Sequence, residues 1–126
     1  MDIQWKDSYK IGHTEIDTEH QHLFHLAGKL LDAQDRPSQQ AVAMAFYKYT
    51  REHFEHEETL MRETGYLGYQ AHIGWHNRII SRLNEISEGI SRQEPDRQAL
   101  ESLMNDWLVT HIAEEDAQLV QYVGNR

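Results

Sequence analysis

Five histidines and two acidic residues are spaced along this sequence in a way that suits a metal site. His53 and Glu57 lie four residues apart, as do His72 and His76, so each pair lies on one face if its segment is helical. A single helix offers only two ligands of this kind. Several helices that aim such pairs at one point would form a closed site, and a set this large suits two metals better than one. The candidate ligands are His20, His53, Glu57, His72, His76, His111 and Asp116.

The segments that carry these residues have the apolar periodicity of amphipathic helices. A capping box at 18–21, Pro37 near a helix start and Gly65 at a helix end support the boundaries. No segment alternates with period two for long enough to form a strand. The sequence predicts one all-α domain over 1–126, an antiparallel up-down-up-down four-helix bundle with an irregular N-terminal arm over 1–17. The predicted helices span about 18–33, 38–63, 69–91 and 96–112.

The candidate ligands continue the apolar stripe of each helix without a change of phase, so we expect them to point into the core. Burying seven polar groups without partners would cost several kcal/mol, and a metal removes that cost. In a bundle with short loops, all four ligand groups fall towards one end. His111 and Asp116, at i and i+5, do not share a face of a regular helix. We therefore expect the helix to end or distort between them, and Asp116 to reach the site from the turn beyond.

Composition excludes several classes of function. The sequence has 126 residues, no cysteine, nine histidines and a net charge of −9. The absence of cysteine excludes disulfides, iron–sulfur clusters and thiolate catalysis. The acidic balance argues against a nucleic-acid partner, and no apolar run is long enough to span a membrane. With no signal-like N-terminus, we expect a cytoplasmic protein.

The donor types narrow the choice of metal. A mixed imidazole and carboxylate set without sulfur favours iron or manganese over structural zinc. Two octahedral ions need about twelve coordination positions. Five imidazoles, two bridging carboxylates and a bridging hydroxide fill all but one of them. Compared with carboxylate-rich di-iron bundles, this set donates less negative charge, which favours reversible binding of a small ligand over oxidation of a substrate.

The same residues and their flanks resemble the hemerythrin family, specifically the bacterial hemerythrins. The resemblance covers essentially the whole chain, from Trp5 and Gly12 in the arm to Asp116, and no ligand position departs from the pattern. The motifs that carry it are Ile16-Asp17-x-x-His20, His53-Phe54-x-x-Glu57-Glu58-x-Leu60-Met61, His72-x-x-x-His76 and Trp107-Leu108-x-x-His111-Ile112-x-x-x-Asp116.

This resemblance implies a cofactor of two iron ions with a bridging oxo or hydroxo group, and dioxygen as the ligand. It assigns His72, His76 and His111 to the first iron, His20 and His53 to the second, which keeps the open position, and Glu57 and Asp116 to the bridge.

Apolar residues next to the ligands are candidates for the wall of an oxygen pocket. These are Phe24, Trp107, Leu108 and Ile112. An ordinary core role is an equal alternative for Phe24 and Trp107, whereas Ile112 directly follows a ligand and is the best candidate.

The remaining polar residues near the ligands are expected to be peripheral. His13, His22 and His25 are predicted to lie at the surface. His56 lies at the edge of the inward face, where a surface position is favoured over an outer-sphere role. Glu58 lies one residue off the ligand stripe and is a candidate to orient the second nitrogen of a ligand.

The donor set and the resemblance favour reversible dioxygen binding for storage, delivery or scavenging. We expect no enzymatic turnover beyond a peroxidase-type or oxidase side activity. The alternatives are an oxygen- or redox-sensing domain of a larger signalling protein and a di-iron redox enzyme for peroxide or nitric oxide. A closed structural zinc site is disfavoured by the open position. The protein partner stays open between an oxygen-consuming enzyme and a fused signalling module, and we expect no output domain within this sequence.

Overall fold

The computed structural model describes residues 5–94 and 96–124, without the side chains at 108–110 and 113. No strand occurs in this described part, and no helix in it is both long and apolar enough to cross a membrane. Its elements are a 3₁₀ turn at Asp7–Tyr9, α1 at Thr14–Asp32, α2 at Arg36–Thr64, α3 at Tyr69–Ser91, α4 at Arg97–Met104, a π-helical segment at Asn105–Asp116, and α5 at Ala117–Gly124.

The long helices form a closed ring around one hydrophobic core. α1 packs on α2, α2 packs on α3, and α4 contacts both α3 and α1. The connections at 33–35 and 65–68 are too short to cross the bundle, so the neighbours they join run antiparallel. Leu23, Phe46 and Leu103 are fully buried between them. The four-helix bundle predicted from the periodicity is confirmed.

The first helix begins within the predicted arm, four residues before the predicted start at 18. The cap is His13, whose Nδ1 accepts a hydrogen bond from the backbone N–H of Ile16 at 3.3 Å. The Asp17 carboxylate also accepts the N–H groups of Ile11 at 2.9 Å and Gly12 at 3.3 Å. The capping box at 18–21 therefore does not start the helix. Histidine is not among the preferred N-cap residues, so this helix start could not be predicted from the usual capping pattern.

Conventional capping residues determine the two ends of α2. Asp35 accepts the backbone N–H of Ser38 at 2.8 Å, and proline occupies the first turn. At the other end Gly65 adopts a left-handed conformation with φ of 65°, and the N–H of Tyr66 donates to the carbonyl of Met61. This is the glycine-terminated end typical of a long helix.

The C-terminal part of the chain is one continuous helix that changes its winding twice. Asn105 and Ala117, at the two junctions, both have right-handed helical backbone angles. The predicted end at 112 is therefore wrong, because the helix continues to Gly124 and buries Leu119 and Val120 in its last part. Asp116 lies inside the helix, which corrects the expectation of a turn between it and His111. The expected distortion is present, as a π-helix.

Candidate metal centre

All seven candidate ligands meet at one end of the bundle, and each is at most 1% exposed. His20 lies in the early part of α1, and His53 and Glu57 lie near the end of α2. Antiparallel packing brings these two stretches together. The α3 pair and the two π-segment ligands, His72, His76, His111 and Asp116, complete the cluster.

The donor atoms fall into two groups, each with all donor atoms within 4.8 Å of one another. One group has three imidazoles and the other has two, and Asp116 belongs to both. The first contains His72, His76, His111 and Asp116, and the second contains His20, His53, Glu57 and Asp116.

The Glu57 carboxylate lies between the two groups and faces both. Its Oε1 is 3.2 Å from Nε2 of His72 and 3.0 Å from Nε2 of His76. Its Oε2 is 3.2 Å from Nε2 of His53 and 3.6 Å from Nε2 of His20. One oxygen is thus directed towards each group, as a bridging ligand requires.

Asp116 repeats this arrangement from the C-terminal helix. Its Oδ1 is 3.0 Å from Nε2 of His72 and 3.3 Å from Nε2 of His111, while its Oδ2 is 3.0 Å from Nε2 of His20. The π-helical winding makes this possible, because an i→i+5 backbone pattern places residues five apart near one another on the same side of the helix.

Several buried donor atoms at the centre of the cluster make no hydrogen bond to a described residue, although they lie close to one another. These atoms are Nε2 of His20, His53 and His111, Oε2 of Glu57 and Oδ1 of Asp116. Buried polar atoms without partners are costly. Donor atoms that share one octahedral ion at about 2.1 Å lie about 3 Å apart, which is the spacing found between these nitrogens and oxygens. The residues therefore fit two closely spaced ions with nitrogen and oxygen ligands.

Two further carboxylates contact the outward nitrogens of ligand histidines. Glu58 Oε2 is 2.9 Å from Nδ1 of His76. The sequence made Glu58 a candidate for this kind of contact, with the second nitrogen of a ligand histidine. Glu19 Oε1 is 3.0 Å from Nδ1 of His53, and its Oε2 is 2.5 Å from Nδ1 of His56. Sequence reasoning missed Glu19, because only the pairing of α1 with α2 brings it to a residue 34 positions away.

The pKa values of the clustered groups show which of them are charged in the absence of a metal ion. Burial alone would lower the pKa of His53, but the charge of Glu57 and the contact with Glu19 outweigh it and raise that pKa to about 10. Burial likewise opposes protonation of His72, yet Asp116 and Glu57 raise its pKa to about 10. The pKa of Glu57 is held well below its usual range against the effect of burial, chiefly by His53. Burial and the charge of Glu57 would raise the pKa of Asp116, but contacts with the cluster histidines outweigh them and lower it. Both carboxylates are therefore ionised and able to bind cations.

The predicted pocket residues are buried where their side chains are described. Phe24 packs in the core against the N-terminal arm, with ring centroids 5.5 Å from Trp5 and 5.2 Å from Tyr9. Ile112 and Trp107 are 1% and 0% exposed. The side chain of Leu108 lies outside the described residues.

Phe54, which belongs to one of the sequence motifs but had no predicted role, is an aromatic neighbour of the site. Its ring stacks on His76 with centroids 3.7 Å apart and an interplanar angle of 4°. It also contacts Trp107 at 5.6 Å. Phe54 thereby links a ligand ring to the apolar core.

The other histidines lie away from the cluster. His13 caps α1, and His22 and His25 are exposed on the same helix. His56 has an exposed side chain, but its contact with Glu19 connects it to the site.

Comparison with known proteins agrees with this geometry. The model of the hemerythrin HHE cation-binding domain matches residues 12–123. A bacteriohemerythrin of Pseudomonas aeruginosa (strain LESB58) is 33% identical over 124 residues, covering 96% of this chain and 81% of that protein. The myohemerythrin of Riftia pachyptila is 31% identical over 121 residues, covering 96% and 91%.

Solved structures show the same fold. A crystal structure of a hemerythrin variant with one leucine replaced by alanine superposes with a TM-score of 0.86 at 22% identity, covering 98% of both chains. A variant with tyrosine at the substituted leucine gives 0.85, covering 95% of both chains. Since the family model covers most of the chain and the sequence relatives span nearly all of it, this protein belongs to the hemerythrin family.

Proposed function

We propose that this protein binds dioxygen reversibly at a di-iron centre. Oxygen binding at such a site is what membership of the hemerythrin family indicates. The observation that carries the proposal is the pair of carboxylates, Glu57 and Asp116, each with one oxygen facing each histidine group. That arrangement would allow each carboxylate to bind two ions at once.

The residues divide unequally between the two proposed irons. His72, His76 and His111 would hold one, and His20 and His53 would hold the other, with both carboxylates shared. The second group has one imidazole fewer, so we assign the open coordination position to it. When bound, a pair of ferrous ions supplies the two electrons that reversible dioxygen binding requires.

The apolar residues would keep water and protons out of the open position. Ile112 follows His111 directly, and it is buried together with Phe24 and Trp107. We propose these three, with Leu108, as the pocket wall. A dry surrounding strengthens the electrostatic hold of the site on its ligand and limits side reactions with water. Dioxygen held in such a surrounding would leave unchanged, which corresponds to carriage, storage or scavenging in the cytoplasm.

Two linked contacts favour a second candidate, a di-iron redox enzyme that acts on peroxide or nitric oxide. The contacts from buried His53 through Glu19 reach the exposed side chain of His56. Such a connection to solvent suits a reaction that consumes protons.

An anaerobic optical titration of the reduced, iron-loaded protein with oxygen, followed by an argon purge, tests the proposal. We expect ligand-to-iron charge-transfer bands that appear with oxygen and vanish on purging. Bands that decay irreversibly would support the redox enzyme or a sensor instead. No bands, with two irons present, would contradict oxygen binding. The same titration on a Glu57→Ala variant is the control, because it removes a ligand shared by both groups.

A further inference from the structure

Two carboxylates outside the ligand set each contact one ligand histidine, and the two histidines belong to different halves of the centre. Glu19 contacts Nδ1 of His53 at 3.0 Å, and Glu58 contacts Nδ1 of His76 at 2.9 Å. In both imidazoles the other nitrogen, Nε2, points inward to the cluster. Each half of the centre thus contains one imidazole held from behind by a carboxylate.

Such a contact has two physical consequences for a ligand. A carboxylate that accepts the Nδ1–H bond selects the tautomer with Nε2 free to bind a metal and restricts rotation of the ring. It also makes Nε2 a stronger donor. By contrast, Nδ1 of His20 and Nδ1 of His111 are buried without a partner among the described residues. Each half therefore combines one imidazole that a carboxylate contacts with another whose Nδ1 has no such contact.

The two contacts differ in what supports them. His76 is also fixed by the stacked ring of Phe54 at 3.7 Å, whereas His53 meets that ring only at 5.8 Å and at an angle of 44°. Glu19 in turn is held on its other oxygen by Nδ1 of His56. The side chain of His56 is 66% exposed, whereas those of Glu19 and Glu58 are 15% and 24% exposed. The half with the proposed open position thus depends on a support that extends to the protein surface.

We propose that Glu19 and Glu58 are positioning residues, one for each iron, and that His56 fixes Glu19 in place. The inference rests on the proposed di-iron centre. It assigns the outer support of one iron to α1 and of the other to α2, so that the two metal positions can be tuned separately. Glu19 is the more sensitive of the two, because no stacked ring assists His53.

Glutamine variants test the proposal, since Glu19→Gln and Glu58→Gln keep the side-chain size and an acceptor oxygen but remove the charge. Competition with a ferrous chelator would measure the affinity of each iron position, and spectroelectrochemistry would measure the reduction potentials. We expect each variant to lower the affinity of one position about 10- to 100-fold. We also expect a higher reduction potential at that position, since the lost negative charge favoured the ferric state. The effect of Glu19→Gln should be the larger.

His56→Gln tests whether the contact of His56 with Glu19 fixes Glu19 in place. Alone, it should weaken the same iron position as Glu19→Gln but by less. Combined with Glu19→Gln, it should add nothing, because the residue that it fixes is already changed. Glu55→Gln, an exposed glutamate of α2, controls for the loss of one charge and should leave both positions unchanged.

The outcomes separate this inference from the proposed function. Unchanged affinities and potentials in both glutamine variants, or equal losses at both positions from either one, would overturn the inference alone. A wild-type protein that loads two irons but gives no oxygen bands would overturn the function, while the affinity measurements would still decide the positioning roles. A wild-type protein that retains no iron under any condition would overturn both.

Discussion

At the residue scale, the two carboxylates proposed as bridges and the five histidines make different contributions to the candidate centre. Each histidine serves one group, whereas Glu57 and Asp116 each face both. These two residues also supply the only negative charge within the ligand set. Loss of a bridge should therefore affect both metals, and loss of a single imidazole should affect mainly one.

Glu57→Ala and His76→Ala test this difference. We expect Glu57→Ala to lose most of both irons and His76→Ala to lose mainly one. Both variants should unfold more easily, by about 3–5 kcal/mol, because buried charged groups lose a partner. Metal analysis and thermal unfolding of each variant measure the two effects. His25→Ala, an exposed histidine of α1, is the control, and retention of two irons with full stability in both variants would refute the ligand assignment.

A threonine one helical turn before His53 leads to an unusual prediction of stability. Thr50 is fully buried, and its hydroxyl has no hydrogen-bond partner among the described residues. Thr50→Val should leave the free energy of unfolding unchanged or raise it by about 1 kcal/mol, because the cost of the buried hydroxyl is removed.

The matched variant is Thr64→Val in the same helix. The Thr64 hydroxyl donates to the carbonyl of Leu60 at 2.7 Å, so we expect this change to lower stability by about 1 kcal/mol. Urea unfolding of the iron-loaded variants compares the two. A Thr50→Val protein that loses more than Thr64→Val would mean that the Thr50 hydroxyl has a partner.

That the candidate ligands point into the core could be predicted from the sequence, because they keep the phase of the apolar stripes. His53 and Glu57, for example, continue the inward face of α2. The contact of Glu19 with His53 could not be predicted, because an acidic residue on an amphipathic helix is expected to face solvent until the neighbouring helix is known. The stacking of Phe54 on His76 depends in the same way on how α2 and α3 pack.

At the scale of elements, the π-helical segment determines the geometry of half the centre. A regular helix would rotate Asp116 away from His111, whereas the segment Asn105–Asp116 keeps both on the side of the core. π-helical winding is rare and is frequent at functional sites. The i+5 spacing predicted a distortion, but it could not decide between a π-helix and a break. The burial of Leu119 and Val120, which favours continuation, was not recognised in the sequence.

An insertion of one alanine between Glu114 and Glu115 tests the role of this winding. It places the aspartate six residues after His111, a spacing that neither helix type brings to the same side. We expect iron binding to fall to half or less while the bundle still forms. An alanine inserted between Gln34 and Asp35, in the connection before α2, is the control and should leave iron binding intact. Equal iron content in both proteins would show that the spacing is unimportant.

At the scale of the whole molecule, the bundle is held differently at its two ends. Far from the ligands, Arg97 donates to the carbonyl of Leu31 and Arg36 donates to the carbonyl of Ser91 at 2.8 Å. These contacts join helix ends without buried charge. At the other end, five imidazoles and two carboxylates fill the core. Stability of that end should therefore depend on what neutralises the cluster, either protons or metal.

Metal removal should make the stability of the protein depend on pH. In the metal-free protein the pKa of His53 and that of His72 lie near 10 when folded, above the usual value of 6.5. Because these pKa values rise on folding, the protonated histidines stabilise the folded state. That stabilisation is full below about pH 6.5 and is lost as the pH rises towards 10. The pKa of Glu57 is lowered from its usual 4.5, so its contribution is present above that value and is lost in acid. The metal-free protein should be most stable between about pH 5 and 6.5.

Iron changes this dependence, because ligands bind metal in the deprotonated form and release their protons on binding. The melting temperature of the iron-loaded protein should therefore exceed that of the chelator-treated protein by a margin that widens from pH 6.5 to 9.5. In free energy the widening should be on the order of several kcal/mol. Parallel melting curves across this range measure the margin. A constant margin would mean that the histidines are neutral in the metal-free bundle, so that protons do not take the place of metal in stabilising the cluster.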